Sequence, residues 1–584
     1  MMRTHTCGEL NSSHIGQKAV LCGWADSKRN HGGVLFINLR DLYGITQITV
    51  NPENPFFQTA EKIKNEFVIK AEGIVAKRPQ GNENKNNPTG EVEIIPSALE
   101  IISQSSELPF DLGEHAQAGE EIRLKYRYLD IRRKNISQNL VLRGKVANII
   151  RSYLCERQFN EIETPILTKS TPEGARDYLV PCRTNPGTFY ALPQSPQVFK
   201  QILMVAGMDR YFQLARNFRD EDLRSDRQPE HTQIDMEMSF AGEKDVAEAV
   251  EGMMEKIFSF LGEKIERPFL ELEYKDAMSL YGSDKPDLRY DIKFENVTSI
   301  FKNSSFKVFS DVISSNGEIR AIKAKASAQI YSRGETDKLT DILKKNGAKG
   351  LAFFKIKEGK PEGGAGKFIS GEEFSALSSL LNLQEGDTVF LIADFPENLN
   401  KYAGILRNSI IEKIKPPVLK KRAFLWVRHF PLLEKDCESG NWTFTHNPFT
   451  APLKEHLNML DTDPGEVLSY QYDLVLNGVE LGSGSVRNHD IKIQEKIFSL
   501  MGYSKEEMYF RFPMILNALK YGAPPHAGIG IGFDRLMGII CSTDSIRDVI
   551  AFPKTTSGAC LMTESPSPVS EKQLKELGIS VIKK

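Results

Sequence analysis

The sequence is poor in cysteine, lacks any long apolar run and carries almost no net charge, and each shortage excludes something. Its seven cysteines, at positions 7, 22, 155, 182, 437, 541 and 560, form no CxxC pair. That argues against a disulfide framework and a zinc site, and an odd count suits a reducing compartment. The 75 Lys and Arg against 77 Asp and Glu leave a net charge of −2. Bulk charge therefore does not advertise a nucleic-acid partner, and such a contact has to come from local patches. No uninterrupted apolar stretch reaches the roughly 20 residues that span a bilayer. The opening Met1-Met2-Arg3-Thr4-His5-Thr6 lacks the apolar core of a signal peptide. The expectation is a soluble, cytoplasmic protein without membrane contact. No internal repeat is visible.

What is present is a chain of 584 residues, 40% hydrophobic and 26% charged, an ordinary globular balance. That length exceeds one core and predicts two to four domains. Residues 1–108 read as short strands separated by Gly and Asn turns. In Val34 to Asp41, Leu35, Ile37 and Leu39 share one face while Phe36, Asn38 and Arg40 share the other. Ile45 to Val50 turns Ile48 inward and Gln47 outward on the same logic. About five such strands predict an OB-fold barrel, whose open face suits single-stranded nucleic acid. Residues 109–137 form a polar and then basic linker. Residues 138–290 mix helices and strands. Residues 291–420, richer in Lys, Ser and Gly and containing the Gly363-Gly364-Ala365-Gly366 loop, read as an inserted domain. Motif-bearing sequence resumes over 421–556, and 557–584 is a C-terminal extension. The fold class is α+β, multidomain.

Three separated segments carry the chemistry. Phe218-Arg219-Asp220-Glu221 precedes His231-Thr232-Gln233-Ile234-Asp235. Gly528-Ile529-Gly530-Ile531-Gly532-Phe533-Asp534-Arg535 lies far downstream. Glu161-Ile162-Glu163-Thr164-Pro165 sits where a helix gives way to a strand. A planar arginine fork at Arg219 suits simultaneous contact with an α-phosphate and a carboxylate. The alternating glycines let backbone lie close beneath a nucleotide, with Arg535 reaching a γ-phosphate from the next helix. Alone, each segment has a bland reading, as an ion-paired strand or a tight packing turn. In this order they resemble motifs 2, 3 and 1 of the class II aminoacyl-tRNA synthetases, the third implying a homodimer around Pro165. In Tyr472 to Arg487, Asp473 and Glu480 are hard oxygen ligands suited to Mg²⁺ shared with ATP phosphates, with buried structural carboxylates as the alternative. Carboxylate activation needs little acid–base help, so positioned cations should dominate catalysis, and Arg219 and Arg535 are the candidate catalytic residues.

The resemblance narrows at Thr171 to Tyr178 and Gln194 to Gln201, which look like those of bacterial-type aspartyl-tRNA synthetases. It covers essentially the whole chain, and the insertion is similar to that family's GAD domain. It implies an antiparallel-sheet catalytic domain. Carried over by motif, Glu173, Gln197, Lys200, Arg219, Asp235, His446 and Arg487 line an aspartate pocket. Arg219, Asp220, Glu221, Gln228, Glu480, Gly532, Phe533, Asp534 and Arg535 contact ATP. Lys200 and Arg487 suit a β-carboxylate, and Asp235 with Glu173 an α-ammonium. On that reading an asparagine amide would leave the two cations without a counter-charge.

In the N-terminal unit, Phe36 suits stacking on an unpaired base, and Gln47 and Glu93 suit base-edge hydrogen bonds. All three match anticodon-reading positions of the family. His31 and Gly81 stand where strict family members carry Leu and Lys. That resembles the relaxed type, which charges both tRNA(Asp) and tRNA(Asn) and implies a tRNA-dependent amidotransferase downstream. The alternatives are a strict tRNA(Asp) enzyme, an asparaginyl-specific relative, a free-amino-acid amide synthetase and a non-catalytic RNA-binding paralogue.

Overall fold

The computed structural model describes residues 1–113, 117–170, 175–436 and 440–582. The chain divides into two compact units, one of residues 1–144 with 543–568 and one of residues 145–542 with 569–582.

The first unit is built on a closed five-stranded barrel. Its strands are β1 (Lys18–His31), β2 (Val34–Arg40), β3 (Ile45–Val50), β4 (Val68–Lys77) and β5 (Val92–Ser103), in the order β1-β2-β3-β5-β4. All pairs are antiparallel except β3–β5. The alternation expected of β2 holds residue by residue, with Leu35, Ile37 and Leu39 buried and their neighbours at the surface. They meet Leu21, Ile48, Val50, Ile69 and Ile94 in one core. Strand β3 departs from the expected pattern, because Gln47 is buried although it faces away from that core. The basic stretch after the barrel folds on itself: Arg123, Arg127 and Arg133 converge on the fully buried Asp130. Arg127 also donates to the carbonyls of Arg547, Ile550 and Ala551. The six described cysteines are free thiols.

The second unit holds an eight-stranded sheet. Its order is Leu270–Glu273, Phe424–Arg428, Gln471–Leu476, Val479–Val486, His526–Gly532, Glu230–Ser239, Arg210–Phe218 and Asn160–Glu161. The six central strands are antiparallel, and the two edge strands pair parallel to their neighbours. Residues 294–394 contribute a separate antiparallel five-stranded sheet covered by helices such as Arg333–Lys345 and Pro396–Ile414. Alternation along its Thr388–Asp394 strand feeds two cores, with Phe390 and Ile392 on one face and Val389 and Leu391 on the other. Among the described residues, no helix is long and apolar enough to cross a membrane.

Candidate active site

The Glu230–Ser239 strand sets the floor of the site. Its even positions, Ile234, Met236 and Met238, are apolar and buried, so the odd positions Gln233, Asp235 and Glu237 must share the other face. That face opens on a cavity of about 580 Å³. The Gln197–Val205 helix brings Lys200 against it, 2.7 Å from Asp235 and 3.3 Å from Glu237. Arg487, just beyond the Val479–Val486 strand, grips Glu237 through two parallel bonds of 2.8 and 3.1 Å and donates to Ser485 Oγ at 2.8 Å. Lys200, Asp235, Glu237 and Arg487 are each at most 2% exposed. They form a formally neutral quartet, the arrangement that makes buried charge tolerable.

Burial opposes the charge of Glu237, but Arg487 and Lys200 outweigh it and hold the carboxyl below its ordinary range. Burial wins at Asp235, which rises despite Lys200. One Asp235 oxygen is buried without a hydrogen-bond partner, an acceptor suited to an ammonium group. The quartet leaves donors as well: one ammonium proton of Lys200 and two guanidinium protons of Arg487 are unused.

Gln197, Lys200, Arg219, Asp220, Glu221, Asp235, His446, Glu480 and Arg487 all line this one cavity. The Arg219 guanidinium makes no hydrogen bond or ion pair among the described residues, so its fork is available to an anion. Glu221 is paired with Arg227 at 2.9 Å. His446 lines the cavity, is exposed, and has its ring edge-on to Phe430. His231, behind Arg219, is pushed down to about 3 by burial and by Arg219, Arg535 and Arg216, and stays neutral. Glu173 lies outside the described residues.

Gln228, Asp473, Gly532, Phe533, Asp534 and Arg535 do not line this cavity. Asp534 is buried and accepts from the Thr232 backbone N–H at 2.9 Å, tying the Phe533–Cys541 helix to the floor strand. Arg535 donates to the Glu480 carbonyl at 3.0 Å and pairs with Asp226 at 3.4 Å. Gly530 of the His526–Gly532 strand lines the cavity, and two glycines of this strand also lie close against neighbouring side chains. A Cβ at Gly528 would sit 2.0 Å from a Glu237 oxygen, and one at Gly530 1.9 Å from the Gln233 amide nitrogen. They make room for the site's own side chains.

Asp473 and Glu480 occupy neighbouring strands on either side of a bulge. Burial and the nearby Glu480 push Asp473 up to about 8. With Glu480 lining the cavity and Asp473 on the paired strand, the two carboxylates fit Mg²⁺, which needs only one or two protein carboxylates when phosphates supply the rest. The described residues hold no group of three or more His, Cys, Asp or Glu able to bind a metal by themselves.

Sequence reasoning missed Glu237, Gln233, Gln471 and Ser483. Gln471 donates to Asp473 at 3.1 Å and to Ser483 at 2.5 Å. The signal for Glu237 was present: a third polar residue in step with Gln233 and Asp235, flanked by the apolar Ile234, Met236 and Met238.

On the barrel, register places Phe36 beside Thr49, and Gln47 beside both Asn38 and Glu93. Gln47 donates to Glu93 at 2.9 Å, and Thr49 to the same oxygen at 2.6 Å. Phe36 is partly exposed on that outer face. His31 ends β1 and is exposed. Gly81 is exposed with φ of +90° and open space around it, a backbone that Lys would adopt only under strain.

These features define a nucleotide-dependent ligase of the class II synthetase type with an OB-fold attached. The family description "tRNA synthetases class II (D, K and N)" matches residues 119–556, and "OB-fold nucleic acid binding domain" matches residues 19–102. The aspartate–tRNA(Asp/Asn) ligase of Elusimicrobium minutum is 52% identical over all of both chains. That of Desulfatibacillum aliphaticivorans is 48% identical over all of this chain and 98% of the relative. The crystal structure of asparaginyl-tRNA synthetase from Pyrococcus horikoshii, complexed with asparaginyl-adenylate, shares the fold with a TM-score of 0.59. It is 19% identical and covers 95% of this chain and 99% of its own. The chain belongs to the class II tRNA synthetases of the D, K and N group and, within it, to the aspartate–tRNA(Asp/Asn) ligase family.

Proposed function

We propose that this chain joins L-aspartate to tRNA(Asp) and tRNA(Asn) in two steps. The aspartate α-carboxylate attacks the α-phosphorus of ATP, expelling pyrophosphate and forming aspartyl adenylate. The 3′-terminal hydroxyl of tRNA then attacks the acyl carbon and expels AMP. The observation that carries the reading is the buried quartet opening on the same cavity as the unpaired Arg219.

In that cavity the three unused protons of Lys200 and Arg487 meet the β-carboxylate, and the unpartnered Asp235 oxygen takes the α-ammonium. The expected discrimination against asparagine changes in kind. The two cations already own counter-charges, so an amide is rejected because its NH₂ meets N–H donors. A buried donor–donor conflict costs on the order of 1–3 kcal/mol or more. Arg219 holds the α-carboxylate against the α-phosphate, and Arg535 fixes the Glu480 strand beside the phosphates. Mg²⁺ held by Asp473 and Glu480 would neutralise charge on the departing pyrophosphate. Glu173, Gln197 and His446 complete the amino-acid side, and Asp220, Glu221, Gln228 and the Gly532–Asp534 turn the ATP side.

Phe36, Gln47 and Glu93 form the anticodon reader, with the Gln47–Glu93 pair presenting a preset donor and acceptor. Phe36→Ala is expected to lower tRNA charging efficiency by about fivefold to a hundredfold, since base stacking is worth ~1–3 kcal/mol. Aspartate-dependent ATP–pyrophosphate exchange should stay unchanged, and assaying the two reactions side by side checks this. His31 and the small Gly81 leave room at the discriminating anticodon position. A homodimer through the Pro165 segment is supported by exposed Ile166 and Leu167, which run on to a bridge at Thr168–Ala191 beside exposed Phe189 and Tyr190. A cytoplasmic setting and an amidotransferase acting on aspartyl-tRNA(Asn) complete the reading. The deciding experiment charges purified tRNA(Asp) and tRNA(Asn) in parallel. Comparable aspartylation is expected; charging of tRNA(Asp) alone would establish a strict enzyme, and charging of neither a non-catalytic one.

A further inference from the structure

The stretch Gly282-Ser283-Asp284-Lys285-Pro286-Asp287-Leu288-Arg289 leads from the main sheet into the inserted domain and takes no part in the reading above. It is anchored on two sides. Arg407, buried in the Pro396–Ile414 helix of the insertion, donates to the Asp287 carbonyl and the Ile292 carbonyl, each at 2.7 Å, and lies over the Tyr281 ring. On the other side Asp287 presses on the turn joining the two carboxylate-bearing strands. A Cβ at Gly478, where φ is +80°, would come within 2.9 Å of the Asp287 Cβ.

Between these anchors the loop holds out one cation. Lys285 Nζ lies 3.5 Å from a Glu480 carboxylate oxygen and 3.6 Å from Asp284. Asp473 stands close enough for its charge to act on Lys285 as well. The Lys285 side chain is 45% exposed, and its ion pairs are with Asp284 and Glu480.

We propose that Lys285 is a resident counter-cation for Glu480 and Asp473, standing where a divalent cation is expected and giving way to it when ATP arrives. The inference rests on the reading of Asp473 and Glu480 as metal ligands. Two carboxylates on paired strands repel, and an ammonium on a loop pinned from both sides relieves that repulsion at little entropic cost. In the nucleotide-free protein Lys285 therefore competes with free divalent ions and keeps them weakly bound. A divalent cation held by Glu480 and Asp473 would take over the Glu480 carboxylate, and the Lys285 ammonium would then serve as a positioning charge for pyrophosphate. Because Arg407 holds the loop, the insertion sets where that charge stands.

The test is Mn²⁺ binding to the full chain, read by electron paramagnetic resonance of the free ion without nucleotide. Lys285→Met is expected to bind Mn²⁺ about tenfold more tightly than the natural chain, and Lys285→Arg to match the natural chain. Adding Glu480→Gln to Lys285→Met should abolish the gain. Unchanged or weaker Mn²⁺ binding by a folded Lys285→Met would overturn the proposal, as would a gain that survives Glu480→Gln. Failure of the metal-ligand reading itself shows separately, as binding of Mn²⁺ with a non-hydrolysable ATP analogue that Glu480→Gln leaves unaltered.

Discussion

Arg487→Ala should raise the aspartate concentration needed for half-maximal ATP–pyrophosphate exchange by at least about a hundredfold, while the ATP requirement moves less than about threefold. Arg487 is buried, holds Glu237 through two bonds and turns its remaining donors into the cavity. Removing one partner of such a pair typically costs 3–5 kcal/mol, because the other charge stays behind unpaired. Part of that cost falls on the fold and lowers the melting temperature. The part felt by aspartate is the loss of two donors to its β-carboxylate, together with a now unopposed Glu237 that repels it. ATP meets Arg219 and the far end of the cavity, so its binding is largely spared. Steady-state exchange with each substrate varied in turn checks the asymmetry. Equal effects on both substrates would remove Arg487 from the amino-acid pocket.

The same residues show what was legible in the sequence and what was not. The barrel could be read because β2 has one buried face, which gives strict alternation from Leu35 to Leu39. Gln47 faces outward as alternation predicts but is buried there, because it and Thr49 bond to Glu93 of the neighbouring strand, and alternation alone cannot report such a polar layer on the outside of a barrel. Lys200, Arg487 and Asp235 were carried over from the family resemblance, and they do converge on one cavity. Their mutual pairing was not foreseeable, since it depends on how a helix, a strand and a strand end 250 residues apart meet. Asp534 belongs to the ATP motif by position, yet its carboxylate serves a backbone N–H of the floor strand. Motif spacing finds the segment; only geometry tells which members face the substrate.

Glu237→Gln carries the second large effect, and it tests whether the quartet is a device for binding aspartate or merely a buried network. Glu237 takes both bonds from Arg487 and lies 3.3 Å from Lys200, with no surface in the cavity wall. A glutamine can accept one of the Arg487 bonds but presents an NH₂ to the other, and it removes one of the two negative charges that balance Lys200 and Arg487. The fold should lose roughly 2–4 kcal/mol, by analogy with other broken buried pairs. For catalysis, the aspartate kcat/KM should fall about a hundredfold, because Arg487 is no longer held in the plane that aims its remaining donors. The ATP requirement should remain near that of the natural chain. Melting curves and exchange kinetics on the same preparation separate the two contributions. A folded Glu237→Gln with lowered melting temperature and unchanged aspartate kcat/KM would reduce Glu237 to a packing partner, leaving Arg487 to be oriented by Ser485 alone. A selective loss at aspartate would make Glu237 the residue that sets the aim of the pocket without touching what the pocket holds.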